Sequence, residues 1–202
     1  MLRNRIMENE LLLTFKEHID KLSPISQQIW EELKTILFPR ELKKNEFIVK
    51  ENRPYYQELF IKQGIVRGFY CSDKGDEFNI VFYQNNEIVI PFQSRSIKGR
   101  SNINLQALTD AIIFEIDQDE FRNLRTKYKE LYVYGSLVQE IELNRKTQHE
   151  IAFLVKNAEE RYLMFRKNYP NLENRISQYH VASYLGITPV SLSRLRKNMT
   201  TK

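Results

Sequence analysis

The spacing of apolar positions changes twice along the chain, and these changes divide it into three parts. Up to about residue 38, apolar residues recur every three or four positions, which predicts two helices. Ser23 would cap the second helix, Pro24 would lie in its first turn, and Pro39 would end it. From about Arg40 to Ile116, short β-branched and aromatic runs alternate with turn residues, a pattern typical of an antiparallel sandwich or barrel. The helical spacing then returns, so the sequence predicts an α+β fold, with helices on both sides of a β jelly roll.

The predicted roll contains one strong hairpin signal. Lys74, Gly75 and Asp76 stand between two strand-like runs, and a glycine with polar neighbours is favoured in a tight turn. Asp117 follows the last strand-like run and is interpreted as the cap of a short helix.

A long helix is predicted from about Leu131 to Leu154. Its apolar positions are spaced three, four and three residues apart, which is coiled-coil spacing, and this favours a homodimer. The alternative is a helix that packs on the chain's own sheet. The candidate seam residues are Leu131, Tyr134, Val138 and Ile141.

Two short helices with a glycine between them are predicted near the end of the sequence. Gly186 can adopt the left-handed backbone that ends the first helix. Thr188 is placed to cap the second helix, with Pro189 in its first position. This arrangement indicates a helix-turn-helix, whose second helix would lie in the DNA major groove. An ordinary helical hairpin is the alternative.

The charge distribution supports a nucleic-acid partner. The net charge is +5, and the segment from Phe153 onward carries nine Lys and Arg against three Glu. The rest of the chain is nearly neutral. A basic module beside a neutral body is typical of a DNA-binding protein.

Several functional classes are not expected from the residues present. One cysteine, Cys71, cannot form an intrachain disulfide or a Cys-rich metal site. The three histidines lie outside the predicted roll, and neither a nucleophile elbow nor a P-loop is found, so we expect neither an enzyme nor a metal. No run of about 18 apolar residues predicts a membrane span, and the N-terminal segment is interpreted as a helix and not as a signal peptide. We expect a cytoplasmic protein.

The segment "YHVASYLGITPVSLSRLRK" is similar to the helix-turn-helix of the Crp/Fnr family of bacterial transcription regulators, especially its Bacteroidetes-type branch. The resemblance extends over the whole chain. It implies a cyclic-nucleotide-binding-like roll with N-terminal helices over 1–126, a dimerisation helix over 127–154, and a DNA-binding domain over 155–202. With five residues after Lys197, we expect that the domain lacks a full β-hairpin wing, so that phosphate contacts made by the wing should be lost.

The resemblance also implies roles for particular residues. Arg194 matches a family arginine that reads a base, and Val190 would offer only apolar contact. The residues expected at base edges are Pro189, Val190, Ser191 and Arg194. Those expected to position the helix on phosphates are Ser177, Thr188, Ser193, Arg196 and Lys197. Val190 and Pro189 replace a glutamate and an arginine of the best-studied members, so we expect a different operator.

The match is weaker at the family's effector pocket. Glu87 is present, but Asn86 replaces the preceding glycine. The number of residues between Glu87 and Arg100 is also larger than in the phosphate-binding motif of the family. The candidate pocket residues are Glu87, Arg95, Arg100 and Ser101. We expect no cofactor and an effector other than cyclic AMP. Asn45 and Asn52 stand where the family often has glycine at strand corners, and asparagine tolerates the left-handed backbone.

The sequence therefore predicts a dimeric, sequence-specific DNA-binding transcription regulator. Its expected partners are double-stranded DNA, a second copy of the chain and RNA polymerase, with no membrane. Two alternatives stay open at this level. One is a regulator that senses nothing, and the other is a ligand- or partner-binding roll that has lost specific DNA binding.

Overall fold

The computed structural model describes residues 2–90 and 99–200. Its helices are α1 (Leu2–Leu22), α2 (Gln27–Lys34), α3 (Gln118–Lys127), α4 (Lys129–Val155), α5 (Ala158–Asn168), α6 (Gln178–Leu185) and α7 (Pro189–Thr200), with one 3₁₀ turn, Leu172–Asn174. Its strands are β1 (Leu37–Leu42), β2 (Phe47–Val49), β3 (Gln57–Gln63), β4 (Val66–Cys71), β5 (Glu77–Tyr83), β6 (Glu87–Val89), β7 (Asn104–Ala107) and β8 (Ala111–Asp117). None of the helices in these two ranges is long and apolar enough to cross a bilayer.

The strands form two four-stranded antiparallel sheets. One sheet has the order β1-β8-β3-β6 and the other has the order β2-β7-β4-β5. This alternation of strands between two sheets is the jelly-roll arrangement that the sequence predicts. Leu59 and Ile113 from the first sheet face Val66 and Leu105 from the second, and these buried side chains form the interior of the roll.

The corners of the roll are built as the sequence predicts. Gly75 has a φ of +86° and closes the hairpin between β4 and β5, where the N–H of Ser72 bonds to the carbonyl of Asp76 at 2.9 Å. Asn45, Asn52 and Asn86 have φ values of +70°, +62° and +65°. Asparagine supports this left-handed conformation better than most non-glycine residues, so these three corners form without glycine.

The second N-terminal helix is shorter than predicted. Ser26 is its cap, and the side chain accepts a hydrogen bond from the N–H of Ile29 at 3.3 Å, whereas Ser23 is buried in the preceding connection. The helix ends at Lys34, and Pro39 lies within β1, opposite Phe114. Because β1 is an edge strand, a proline can be accommodated there without loss of a central sheet hydrogen bond.

The dimer seam predicted on α4 requires a correction. Leu131, Tyr134 and Val138 are almost fully buried in the chain's own core, where α4 packs beside Phe15 of α1 and Phe121 of α3. These three residues cannot contact a second subunit. The alternative that the sequence left open, a helix packed on the chain's own sheet, is closer, and the structure adds α1 and α3 to that surface. Ile141, the fourth residue, is 52% exposed.

Candidate nucleic-acid interface

The helix-turn-helix is held by three local capping interactions. The Ser177 hydroxyl accepts a hydrogen bond from the N–H of Tyr179 at the start of α6. Gly186 ends α6 with φ +66° and ψ +34°, and the N–H of Ile187 bonds back to the carbonyl of Ala182 at 3.0 Å. The Thr188 hydroxyl then accepts from the N–H of Ser191 at 3.1 Å and caps α7. The predicted positions of Thr188 and Pro189 are confirmed.

Apolar packing fixes the angle between α6 and α7. Ala182, Leu185 and Leu192 are buried together, and Leu195 packs against them. Because these side chains occupy the inner face of α7, the opposite face is turned to solvent.

The outer face of α7 carries most of the residues predicted to contact DNA. Val190 is 61% exposed, although apolar, and Arg194 is exposed beside it. The other predicted contact residues with exposed side chains are Ser177, Thr188, Pro189, Ser191, Ser193 and Lys197. This face presents short polar side chains and cations, a composition that suits contact with the DNA major groove.

Arg196 differs from the other predicted contact residues. Its Nη2 lies 3.8 Å from Oε2 of Glu173 in the 3₁₀ turn, and the guanidinium is only partly exposed. Glu173 also accepts a hydrogen bond from the hydroxyl of Tyr162 and pairs with Arg166 at 3.0 Å. Burial, followed by this hydrogen bond, raises the pKa of Tyr162 to about 12. Glu173 therefore ties α7 to α5, a role that no local sequence pattern indicates.

The helix-turn-helix is docked on the outer face of the β2-β7-β4-β5 sheet. Phe82 of β5 is fully buried, and its ring centroid lies 5.7 Å from that of Tyr169 and 5.4 Å from that of Tyr184. Ile65 and Leu108 join the same apolar cluster. The C-terminal helices α5, α6 and α7 and the roll thus share one continuous core.

A buried arginine adds polar contacts to this docking surface. Arg67 of β4 is 3% exposed, and its Nη1 donates to Oε2 of Glu77 at 2.7 Å and to Nδ1 of His180 at 3.2 Å. The side-chain amide of Asn79 donates to the carbonyl of His180 at 3.1 Å. Ser183 accepts from the N–H of Asn79 at 2.9 Å and donates to the carbonyl of Glu77 at 2.7 Å. These bonds fix α6 against β5.

His180 is held neutral at this contact. Burial is the largest cause and the positive charge of Arg67 the second, and together they lower the pKa of His180 to about 4, against a smaller opposing effect of Glu77. A guanidinium can only donate, so the neutral imidazole accepts from Arg67 through Nδ1.

The turn of the helix-turn-helix also touches the end of α4. A Cβ atom at Gly186 would lie 2.7 Å from the Cε1 atom of Phe153, so the Phe153 ring packs directly on the turn. The ring also contacts His149 with a centroid distance of 4.9 Å. After Val155, Lys156 is extended and Asn157 caps α5, with Glu160 completing a reciprocal capping box. The two helices α4 and α5 are therefore separated by a break at Lys156 and Asn157.

The described residues of the predicted effector pocket are engaged within the chain. Glu87 lies 3.4 Å from Arg145 of α4, and burial raises the pKa of its carboxyl group. Arg100 donates to the carbonyl of Asn52 at 2.6 Å, and the Ser101 hydroxyl donates to the carbonyl of Ile103. Arg95 lies outside the described residues. Over residues 2–90 and 99–200, no group of three His, Cys, Asp or Glu is arranged to hold a metal ion.

Solved structures with a similar fold include a global regulator and a transcriptional regulator assigned to the Crp/Fnr family. FixK2 from Bradyrhizobium japonicum is 16% identical, with a TM-score of 0.72 over 82% of this chain and 85% of its own. The c-di-GMP responsive global regulator CLP from Xanthomonas campestris is 14% identical, with a TM-score of 0.67 over 87% of this chain and 92% of its own. A protein from Eubacterium rectale assigned to the Crp/Fnr family is 16% identical, with a TM-score of 0.68 over 88% of this chain and 84% of its own.

No protein-family model and no curated protein matches the sequence. The predicted resemblance to the Crp/Fnr family is confirmed at the level of the fold, while the Bacteroidetes-type branch stays a prediction. The chain has the fold of the Crp/Fnr transcription regulators, a cyclic-nucleotide-binding-like β roll followed by a long helix and a helix-turn-helix.

Proposed function

We propose that this protein is a sequence-specific, DNA-binding transcription regulator that acts as a homodimer. The observation that carries the proposal is the outer face of α7. Val190 and Arg194 are exposed on a helix whose inner face is buried and whose first turn is capped by Thr188. An exposed valine buries no apolar surface in the free protein. Beside an exposed arginine, it suits a thymine methyl next to a guanine edge.

The second copy would bind along a different face of α4 from the one predicted. Tyr132, Leu143 and Leu154 are exposed large apolar residues, and Leu154 is 84% exposed. They are eleven residues apart, or about three helical turns, so they lie along one stripe. Leu131, Tyr134 and Val138 occupy the opposite side of the helix. A helix with one apolar side buried and a second apolar stripe exposed favours pairing with another helix.

Two subunits related by a two-fold axis would present two copies of α7. In a helix-turn-helix dimer these helices bind successive major grooves about 34 Å apart, so the operator is expected to be a pseudo-palindrome. Contact with RNA polymerase bound at a nearby promoter is part of this proposal. The effector would be a molecule other than cyclic AMP, since Glu87, Arg100 and Ser101 already have partners within the chain.

The proposal is tested by selecting bound duplexes from a random DNA pool with the purified full chain. We expect enrichment of a two-fold symmetric site, bound at least ~10³ times more tightly than unrelated DNA at one fixed salt concentration. The same selection with a variant in which Arg194 is replaced by alanine is the control, since its enriched site should lose information at one symmetric pair of positions. Binding that depends only on salt and not on sequence would contradict the proposal.

A further inference from the structure

Two of the three histidines in the chain lie at the contacts of α6. His180 belongs to α6, and its Nδ1 lies 3.2 Å from Nη1 of Arg67 on β4. His149 belongs to α4, and its ring centroid lies 4.6 Å from that of Tyr184, about one turn after His180 on α6. The same short helix is thus joined to the roll through one imidazole and to α4 through another.

The contact between His180 and Arg67 requires a neutral imidazole. Arg67 is 3% exposed, and its guanidinium is held in place by Gln106 at 2.9 Å and by Glu77 at 2.7 Å. A proton on Nδ1 would turn the acceptor into a donor and bring two cations together. Glu77 of β5 is the carboxylate that faces them, and it is already bonded to Arg67. The contact therefore breaks when His180 becomes charged.

His149 lies in surroundings that also disfavour a charged ring. Its Nε2 atom is buried, and none of the described residues forms a hydrogen bond with it. A proton on Nε2 would therefore be a buried donor without an acceptor, which costs free energy while the ring stays in place. Because Tyr184 covers the ring, movement of α6 away from α4 would expose the ring to water.

The charged groups around His149 do not offset this cost. Burial is the largest effect and lowers the pKa of His149. A hydrogen bond with the backbone of Tyr184 and the charge of Glu150 on α4 act in the opposite direction, and Arg161 of α5 lowers the pKa further. The tyrosines that line the same cavity as the ring, Tyr169 and Tyr184, stay neutral because burial raises their pKa. The further cations in this lining are Arg145 and Lys146.

We propose that α6 and its two histidine contacts form a proton-sensitive latch, which holds the helix-turn-helix on the roll at neutral pH and releases it in acid. The released imidazoles bind protons more readily than the docked ones, so acid shifts the population toward the released state. The pKa of His180 is about 4 in the docked state and about 6.5 when the side chain is free. The latch is therefore closed above about pH 6.5 and opens as the pH falls toward 4. The effect of release on DNA affinity rests on the proposed function.

Acid should release the helix-turn-helix before it unfolds the roll. None of the eight strands contains a histidine. The third histidine, His18, lies on α1, and its ring contacts Phe60 and Tyr134. Its titration is a separate event, so this residue provides a control.

The amide N–H of Asn79 reports the latch directly, because it donates to the Ser183 hydroxyl across the contact at 2.9 Å. Hydrogen exchange of this amide is followed by NMR in the full chain without DNA, from about pH 7 to about pH 4.5. Each rate is divided by the intrinsic exchange rate at the same pH. The protection of Asn79 is expected to fall at least ~tenfold over this range. The amide of Ile113, in the interior strand β8 of the other sheet, should stay protected.

Variants without the titrating nitrogens test whether the histidines are the cause. His180→Gln keeps a side-chain oxygen that can accept from Arg67, and His149→Phe keeps a ring of similar shape. A chain with both changes is expected to lose most of the pH dependence at Asn79, whereas the matched control His18→Gln should keep it. Circular dichroism at neutral pH checks that each variant folds. The NMR signal of His180 in the unaltered chain needs no variant, and it should titrate over the same range in which protection is lost.

Constant protection of Asn79 down to about pH 4.5 would overturn the latch. An equal loss of protection at Ile113 would also overturn it, because the whole chain would then be unfolding. The same pH dependence in the double variant and in the unaltered chain would show that the histidines do not control the contact. No DNA is present in these measurements, so failure of the proposed DNA-binding function is a separate result.

Discussion

Arg194 and Arg196 are two residues apart on α7 and serve different surfaces. Arg194 is exposed on the outer face, whereas Arg196 lies near Glu173, which also binds Tyr162 and Arg166. The resemblance to the Crp/Fnr family implies a base contact for Arg194 and a phosphate contact for Arg196. Their different surroundings depend on the 3₁₀ turn, which no pattern of apolar spacing reveals.

Replacing Arg194 by alanine is expected to cost about 1–3 kcal/mol of specific DNA binding and to relax one base position. The physical reason is loss of a two-pronged contact to a guanine edge. Arg196→Ala is the matched control: because Arg196 lies beside Glu173, any loss of binding should be smaller than for Arg194→Ala and equal for all sequences. Fluorescence anisotropy with the selected operator and with its single-base variants measures both. Equal loss on every sequence for Arg194→Ala would contradict the base-reading role.

His180 is expected to titrate near pH 4 in the folded protein, against about 6.5 in an unfolded chain. The unfolded chain therefore binds a proton more readily between these values. The contribution of His180 to stability is complete above about pH 6.5 and is lost as the pH falls through 4. Following the imidazole signal by NMR checks the value. An Asn79→Ala variant, which loosens the contact with β5, should move the titration back toward 6.5, and a wild-type midpoint near 6.5 would contradict the docked geometry.

At the scale of elements, α4 shows what apolar spacing can and cannot predict. The sequence correctly predicts a long helix, and Leu131, Tyr134 and Val138 do form an apolar row. Spacing reports that a face is buried but does not identify the partner, and here the partner is the chain's own core. The exposed row that includes Leu143 and Leu154 is interrupted by polar residues, so it gives a weaker sequence signal.

The proposed homodimer is therefore expected to be sensitive to Leu143→Glu and insensitive to Ile141→Glu. Both residues are more than half exposed, so neither change should disrupt the core. The two positions lie about 160° apart around the helix, and only Leu143 is on the proposed stripe. Sedimentation velocity over a range of concentrations distinguishes monomer from dimer. Dissociation caused by Ile141→Glu and not by Leu143→Glu would instead place the interface near the predicted seam.

The helix-turn-helix was predictable in detail because its signals are local. Ser177, Gly186, Thr188 and Pro189 act on residues one to four positions away, and all four stand where capping rules require them. The docking surface could not be predicted in the same way. Arg67 and His180 are 113 residues apart in sequence, and each taken alone resembles an ordinary strand or helix residue.

At the scale of the whole molecule, the helix-turn-helix is not a free module on a tether. Phe82 inserts among Phe165, Tyr169 and Tyr184, and Arg67 links β4 to His180. The position of α7 relative to the roll is therefore set by burial as well as by the two-residue connection at Lys156 and Asn157. If the helix-turn-helix moves relative to the roll to change DNA affinity, the contacts of Phe82 and Arg67 have to break.

Phe82→Ala is expected to release the helix-turn-helix from the roll. Truncating a fully buried phenylalanine typically costs about 3–5 kcal/mol, and here the loss falls on the shared surface. Limited proteolysis should then cut between Val155 and Asn157 faster than in the unaltered protein. Phe114→Ala, a buried residue of the other sheet, should lower overall stability without exposing this connection. Equal cleavage rates in the two variants would show that the contacts of Phe82 do not restrain the helix-turn-helix.

The contact between Gly186 and Phe153 has a consequence for genetics. Position 186 is restricted twice, by a left-handed backbone that costs other residues about 1–2 kcal/mol and by the Phe153 ring, which would have to shift to admit a Cβ atom. A Gly186→Ala allele should therefore lose function, and Phe153→Leu should act as a partial second-site suppressor because it relieves the collision but not the backbone strain. Suppressors recovered from a mutagenised library of the Gly186→Ala allele should cluster at codon 153, on a different helix from the original lesion. Revertants confined to codon 186 would indicate that backbone strain alone explains the defect.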